Sequence, residues 1–238
     1  MATKFTKQIQ PSDIWANTSN QELELGTYAE TPDGRGFRYV KAGGTSLVVG
    51  KLQQSPAQVA NHLGCAVAAA SAIGATTVTV TLGATAATLN QYAGGFLVVT
   101  ATPGEGYTYK IKSNPAADAS ASCVITLEDP IKVALTTSST VDLVLNQYNG
   151  VIVNPTTATG RPVGVGVNIV TNAYFGWIQT KGEVACLNDS STTIGLGVAP
   201  SAATAGAVKT AATTLETVGF TVNTGTTTKY NCIFLTID

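Results

Sequence analysis

The sequence predicts an all-β protein built from β-sandwich or barrel-like modules with an extended N-terminal arm. Threonine alone outnumbers Asp, Glu, Lys and Arg combined, and β-branched residues suit a pleated sheet. Residues 76–82 alternate strictly, with Val78, Val80 and Leu82 on one face and threonines on the other, which is typical of a half-buried strand. A third observation, a repeated turn and strand, supports the same fold class.

The repeat is the tetrapeptide Leu-Asn-Gln-Tyr, which occurs at residues 89–92 and again at 145–148. Each copy follows a strand-like stretch, runs through a glycine turn at Gly94 or Gly150, and leads into an apolar strand. A loop rich in Pro, Gly and Thr comes next, and then another strand. This order predicts a meander of antiparallel strands that occurs twice.

The N-terminal third is predicted to be an arm followed by a hairpin. Residues 1–20 contain few periodic apolar residues and are expected to extend as an arm, or to fold back on their own subunit. Asp33-Gly34 predicts a tight hairpin whose return strand covers residues 37–41. A short strand is expected at 46–52 and a polar connector at 53–62. We therefore predict three regions, 1–61 (arm and hairpin), 62–130 (first β module) and 131–238 (second β module).

Further strands are predicted at 107–112 and 123–127 in the first module. In the second, residues 163–169 place branched side chains on one face and glycine on the other, so that another backbone can approach closely. Residues 174–180 and 183–187 are predicted to form a hairpin that turns at Lys181-Gly182. Residues 220–222 and 230–237 close the chain as a final hairpin, whose last strand is apolar on both faces and is expected to be central.

Charge and composition argue against several classes of partner. The formal net charge is −1 and the few Lys and Arg residues are scattered, so we expect no nucleic-acid and no membrane partner. A weakly charged surface gives little protection against self-association, which favours an oligomer, and we predict a homotrimer. Residues 1–10 lack the apolar core of a signal peptide, which predicts synthesis in a cytoplasm.

We predict no enzymatic activity, no catalytic residues, no metal and no cofactor. The single histidine, His62, has no nucleophile motif beside it and is expected to be structural or on the surface. No pair among Glu105, Glu128, Asp129, Glu183 and Asp189 stands out as a glycosidase pair. The four cysteines are widely spaced and are predicted to be buried free thiols, rather than zinc ligands or disulfides.

Aromatic and apolar side chains are the candidate contacts to other subunits or to a larger assembly, with a sugar platform as the alternative role of the aromatics. The candidates for subunit or capsid contact are Phe5, Ile9, Ile14, Trp15, Tyr92, Tyr148 and Trp177.

Two stretches carry a resemblance to a known class of proteins. One joins residues 90–95 to Gly104-Glu105-Gly106-Tyr107-Thr108-Tyr109, and the other runs from Tyr174 to Glu183 and is followed by Ala205-Gly206. From about residue 76 onward, the chain resembles capsid decoration (cement) proteins of tailed bacteriophages. The resemblance implies a β-rich virion protein that binds the major capsid protein on the outside of the shell, commonly as a trimer, and stabilises it. Decoration proteins carry no catalytic residues, so none is transferred.

The corresponding localisation is the capsid surface of the virion, after synthesis in the cytoplasm of a bacterial host. Small decoration proteins are often shorter than this chain, so the N-terminal region is unaccounted for. A head or tail fibre component, or a receptor- or glycan-binding virion module, therefore stays open as the alternative. A hydrolase of surface polysaccharide is a third reading, which the missing acid/base pair disfavours.

Overall fold

The computed structural model describes residues 7–212 and 217–238. It is almost entirely β-structure, as predicted, and it divides into two compact units. Residues 58–146 form one unit, and the described parts of 1–57 and 147–238 form the other. The first unit is therefore an insertion into the second. Strands are numbered along the whole chain.

The inserted unit is a closed barrel of six antiparallel strands in the order β10-β7-β6-β11-β8-β9. Its strands are β6 (Cys65–Val67), β7 (Thr77–Thr81), β8 (Phe96–Val99), β9 (Thr108–Ser113), β10 (Ser122–Leu127) and β11 (Thr140–Val144). The predicted alternation in β7 is confirmed, since Val78 and Val80 are fully buried in the barrel core. Closure leaves the barrel without a free sheet edge.

The other unit is a sheet of twelve strands. They are β1 (Lys7–Gln8), β2 (Asn17–Thr18), β3 (Tyr28–Glu30), β4 (Gly36–Ala42), β5 (Leu52–Gln54), β12 (Asn149–Val153), β13 (Pro162–Gly166), β14 (Phe175–Leu187), β15 (Gly197–Pro200), β16 (Val208–Thr210), β17 (Gly219–Thr221) and β18 (Tyr230–Thr236). Because β14 pairs with β4 as well as with β13, strands β4, β12, β5, β13 and β14 form a closed circuit. The sheet then continues outward from β14 through β18, β17, β15 and β16.

Two predicted local structures are confirmed in this unit. The Asp33-Gly34 turn joins β3 to β4, and Gly34 has a φ of 85°. Gly164 and Gly166 of β13 lie where backbone approaches closely, since a Cβ on Gly164 would stand 2.6 Å from the Gln179 carbonyl oxygen. Glycine is required at such contacts because any side chain would collide with the neighbouring strand.

The predicted hairpin at Lys181-Gly182 is wrong. Residues 175–187 form one continuous strand, β14, with a register irregularity between Gln179 and Lys181. The first half of β14 pairs with β4 and the second half with β18. Gly182, with a φ of 87°, therefore lies within a continuous strand, just after this irregularity, and does not form a turn between two strands. The strand expected at 46–52 is also displaced, because β5 begins only at Leu52.

The region boundaries differ from those expected from the sequence. The inserted unit begins four residues before His62, close to the predicted boundary, but the predicted boundary after residue 130 falls inside the barrel. The reason is that β11 pairs with β6 and β8, so the barrel needs residues up to 144 to close. The two Leu-Asn-Gln-Tyr copies consequently lead into strands of different units, β8 and β12.

The extended N-terminal arm is not confirmed. Strand β1 pairs in parallel with β3, strand β2 pairs with β14, and a single 3₁₀ turn, Asp13–Trp15, lies between them. Ile9 and Ile14 are buried in their own unit beside Tyr39 and Trp177. Residues 7–18 therefore fold against the chain they belong to. Phe5 lies outside the described residues.

Candidate functional site: an exposed apolar face of the C-terminal strands

Strands β17 and β18 present apolar side chains to solvent on one face of the sheet. Phe220 is 46% exposed, Tyr230 55% and Phe234 43%. Antiparallel pairing places Phe220 opposite Phe234 and extends the same face to β14. We call this surface the C-terminal face, and it consists of Glu183, Ala185, Leu187, Phe220, Val222, Tyr230, Cys232 and Phe234.

The alternation of β18 explains how the face arises. Ile233 and Leu235 point to the opposite side, where they are fully buried with Val198 and Cys186. Successive side chains of a strand alternate between the two faces of its sheet, so the intervening Tyr230, Cys232 and Phe234 must share the other face. Within the described part of the chain, that face has no covering layer, and the three aromatic side chains alone expose roughly 300 Å². The largest apolar patch of a monomeric protein is typically a few hundred Å² and is often functional.

A charged pocket of about 480 Å³ adjoins the C-terminal face, and Phe234 belongs to both. The pocket is lined by Asp33, Gly34, Arg35, Gly182, Glu183 and Phe234. It forms where the β3–β4 turn meets Gly182 of β14, since a Cβ on Gly182 would stand 3.1 Å from Arg35 Cγ. Glycine at both Gly34 and Gly182 permits the positive φ values that these turns adopt.

The charges in this pocket are held in place by a local network. The Arg35 Nε donates to Asp33 Oδ2 at 2.8 Å, and the Thr31 hydroxyl donates to the other Asp33 oxygen. These hydrogen bonds lower the pKa of Asp33 below its usual range, and the bond from Thr31 has the largest effect. They keep the carboxylate ionised at neutral pH. With Glu183 at the rim, the pocket offers two carboxylate acceptors, a guanidinium donor and an exposed phenyl ring.

The residues proposed as contacts from the sequence are mostly placed in the interior. Ile9, Ile14, Tyr92, Tyr148 and Trp177 are buried within their own units and are not available in this fold to touch another chain. Their size and apolar character, which suggested a contact, instead fill the cores. Trp15 is exposed, with 58% of its surface accessible.

His62 is buried in the barrel, as a structural role requires. Its Nε2 lies 2.8 Å from the Thr85 carbonyl oxygen, and its Nδ1 is hydrogen-bonded to the Tyr92 hydroxyl. Because a carbonyl can only accept, Nε2 carries a proton, and in the neutral ring Nδ1 accepts from Tyr92. Burial raises the pKa of Tyr92, which keeps its hydroxyl protonated.

Cysteine placement agrees with the sequence prediction at three of four positions. Cys65, Cys123 and Cys186 are buried free thiols, whereas Cys232 is only partly buried and lies on the C-terminal face. No cluster of three or more His, Cys, Asp or Glu that could hold a metal occurs among residues 7–212 and 217–238. In the same residues, no helix has the length and apolar character needed to span a membrane.

Comparisons with protein-family models, curated proteins and solved structures found no match to this chain.

Sequence reasoning missed Phe220, Tyr230 and Phe234, although their signal was visible. Residues 230–237 are apolar on both faces, which predicted a strand buried on both sides. Strand β18 is indeed internal to the sheet, between β14 and β17. Pairing with neighbouring strands does not cover either face of a strand, however. A strand that is apolar on both faces can therefore have one face in the core and the other exposed to solvent.

Proposed function

We propose that the protein is a non-enzymatic structural protein of a tailed-phage virion, which binds the outside of the capsid through the C-terminal face and stabilises the shell. The observation that carries the proposal is the exposed aromatic pair Phe220 and Phe234 on a regular sheet. A rigid apolar surface favours a protein partner, because binding buries it without ordering a flexible segment. The resemblance to decoration proteins noted above supplies the identity of that partner, the major capsid protein.

The size and charge of the surface support a protein partner of this kind. The roughly 300 Å² of exposed aromatic area is suited to the apolar centre of an interface that buries about 800 Å² on each side. Interface centres are enriched in aromatic residues, and Glu183, opposite Phe234, adds one carboxylate to this face. The net charge of −1 and the absence of basic clusters in the sequence give a nucleic acid little to bind.

The proposal is tested by adding purified protein to capsids stripped of accessory proteins and measuring saturable binding and survival of the particles on heating. We expect the double variant Phe220→Ser/Phe234→Ser to bind at least about tenfold more weakly, since aromatic anchors dominate interface energies. Ile73→Ser is the matched control, because Ile73 is exposed in the other unit. Undiminished binding of the double variant would exclude the C-terminal face, and absence of saturable wild-type binding would reject the capsid function.

A second function, glycan binding, is favoured by the charged pocket. A sugar ring can place its C–H face on the Phe234 ring while its hydroxyls reach Asp33, Arg35 and Glu183. The local charge of the three ionisable side chains is −1, which favours neutral sugars over acidic ones.

Separate variants distinguish these two functions. Arg35→Gln alters the charged pocket and leaves the C-terminal face in place, because Arg35 lies in the β3–β4 turn, so it should weaken binding to immobilised neutral glycans and leave capsid binding unchanged. Phe220→Ser should weaken capsid binding and leave glycan binding unchanged, because Phe220 does not line the pocket. Glycan binding that is insensitive to Arg35→Gln would exclude the charged pocket as the glycan site.

A further inference from the structure

The charged pocket contains one charge that no neighbouring side chain compensates. Arg35 and Asp33 form an ion pair at 2.8 Å, so their charges cancel locally. The carboxylate of Glu183 makes no ion pair and no hydrogen bond within residues 7–212 and 217–238. Lys181, the lysine of the same strand, is engaged by Glu30 at 3.2 Å. The pocket therefore presents the negative charge of Glu183 to whatever binds there, and it favours a cation.

An exposed aromatic ring lies beside this carboxylate. Glu183 of β14 and Phe234 of β18 are directly opposite each other in the antiparallel register, and both line the pocket. Residues paired in this way share one face of the sheet, with Cβ atoms about 4.5–5.5 Å apart. Phe234 is 43% exposed, so its ring is accessible to a ligand. Aromatic rings attract cations, and an ammonium group at this point is therefore attracted by the ring as well as by the carboxylate.

The rest of the pocket is suited to hydroxyl groups. Arg35 donates its Nε to Asp33, and its two terminal nitrogens have no hydrogen-bond partner in the part of the chain that the structure describes. These nitrogens can donate to ligand oxygens, and the Asp33 carboxylate has further lone pairs with which to accept from ligand hydroxyls. A volume of about 480 Å³ lies within the range of small-molecule sites. A bare alkylammonium chain would leave these donors and acceptors unused, whereas a sugar ring would engage them.

We infer that the charged pocket binds an amino sugar, with its ammonium group at the Glu183 carboxylate beside the Phe234 ring and its hydroxyls on Asp33 and Arg35. The inference rests on the glycan-binding function proposed above and adds the class of sugar, one that carries a free amino group. N-acetylation removes the positive charge of such a sugar, so the acetylated form should bind only as a neutral sugar does.

The experiment compares three ligands by NMR titration of the full chain: the methyl glycosides of glucosamine, N-acetylglucosamine and glucose. The titrations are made at low ionic strength and about pH 6, where an aliphatic amine is protonated. The glucosamine glycoside should bind about 3- to 10-fold more tightly than the two neutral sugars, as expected for an exposed ion pair together with a cation–π contact. This preference should shrink in about 0.5 M salt, because salt screens exposed charges.

Matched variants assign the preference to named side chains. Glu183→Gln keeps the shape of the side chain and removes its charge, so the three sugars should bind it alike. Glu22→Gln removes an exposed carboxylate elsewhere in the same unit and should retain the preference. Phe234→Leu should weaken the binding of all three sugars, because the ring is lost. Phe220→Leu should not, because Phe220 lies on the same face but does not line the pocket.

The outcomes separate this inference from the function on which it rests. Binding of all three sugars with equal affinity would leave the glycan-binding function in place and overturn the amino-sugar inference. A preference for the glucosamine glycoside that survives Glu183→Gln would also overturn it. If none of the three sugars binds, the glycan-binding function and this inference are rejected together.

A fourth ligand, n-butylamine, tests whether the sugar ring itself is recognised. It carries an ammonium group on an alkyl chain, as a lysine side chain does, and it has no hydroxyls for Asp33 and Arg35. It should therefore bind more weakly than the glucosamine glycoside. Equal or tighter binding of n-butylamine would show that the pocket recognises a lysine-like chain, and it would reject the amino sugar as the ligand.

Discussion

Phe220 and Phe234 lie directly opposite each other on the antiparallel strands β17 and β18, and both rings are exposed on the same face of the sheet. A cross-strand aromatic pair contributes about 0.2–1 kcal/mol to folding. Replacing both residues with serine should therefore lower the free energy of unfolding by no more than about 2 kcal/mol, while weakening partner binding much more. This separation allows docking to be tested without loss of the fold.

Cys232 is expected to be the thiol that reacts in the native protein. It is partly exposed on the C-terminal face, whereas Cys65, Cys123 and Cys186 are buried. Burial raises the pKa of the Cys186 thiol to about 12, and burial together with Glu183 raises that of Cys232. Titration with a thiol reagent should label one cysteine slowly, faster at higher pH because the thiolate reacts, and the other three after unfolding.

Cys232→Ser is the control for this titration and should abolish the native-state label. A bound partner on the C-terminal face should protect Cys232 from the reagent. Labelling of more than one cysteine in the folded state would contradict the burial of the other three.

Tyr92→Phe should destabilise the barrel through His62. Removing the hydroxyl leaves the buried Nδ1 of His62 without its partner, and an unsatisfied buried acceptor costs about 1–3 kcal/mol. Both tryptophans lie in the other unit, so the barrel is best followed by hydrogen exchange of its own amides. Tyr107→Phe, at an exposed tyrosine of the same barrel, is the matched control and should change protection little.

Asp238 should make the larger unit sensitive to acid. Its carboxylate accepts from Arg38 Nε at 2.8 Å and from Arg38 Nη2 at 2.9 Å. Burial opposes ionisation, but the hydrogen bonds and charge of Arg38 outweigh it, so the pKa of Asp238 lies below its ordinary value. A lowered pKa stabilises the fold above the unfolded value of about 3.9, and this contribution is lost as the pH falls through the folded value.

Asp238→Asn should therefore cost about 1–2 kcal/mol at pH 7, and the difference from wild type should shrink in acid. The free energies of unfolding of the wild type and the variant are measured by tryptophan fluorescence at several pH values, because both tryptophans belong to this unit. Glu22→Gln, at an exposed carboxylate of the same unit, should show no such effect. A difference that does not depend on pH would rule out the ion pair as its origin.

Gly166→Ala should destabilise the same unit, because a Cβ there would collide with the Val48 carbonyl oxygen. Backbone cannot give way as a flexible side chain does, so we expect a loss of about 1–3 kcal/mol. Gly44→Ala is the comparison, since a Cβ at Gly44 meets no atom within 4 Å. Equal unfolding midpoints for the two variants would show that β13 and the 48–50 segment do not pack as described.

Local features of the fold could be predicted because neighbours in sequence decide them. The Asp33-Gly34 turn and the alternation in β7 follow from glycine conformation and from the two-residue period of a strand. Which strands pair with each other could not be predicted in this way, because pairing joins residues that are far apart in the sequence. Lys181-Gly182 looked like a hairpin turn, yet β14 continues through it because β4 and β18 each pair with one half of the strand.

The candidate site could be predicted only in part. The apolar character of residues 230–237 was evident, but whether a layer covers that face depends on where distant segments pack. The charged pocket could not be predicted, since it joins Asp33 and Arg35 of one turn to Glu183 and Phe234 of strands far along the chain. A second pocket, of about 330 Å³, likewise combines residues 154–162 with residues 200–202.

The sequence by itself determined that the chain forms β-structure with few charges and with glycine at its tight turns, because composition and short-range pattern set these properties. The tertiary structure decided that residues 58–146 close into a barrel inserted in a twelve-strand unit, and that the two Leu-Asn-Gln-Tyr copies serve different units. It also decided which large side chains are core and which are surface. Tyr92 and Tyr230 are both tyrosines in a β protein, and only the packing of distant strands buries the first and exposes the second.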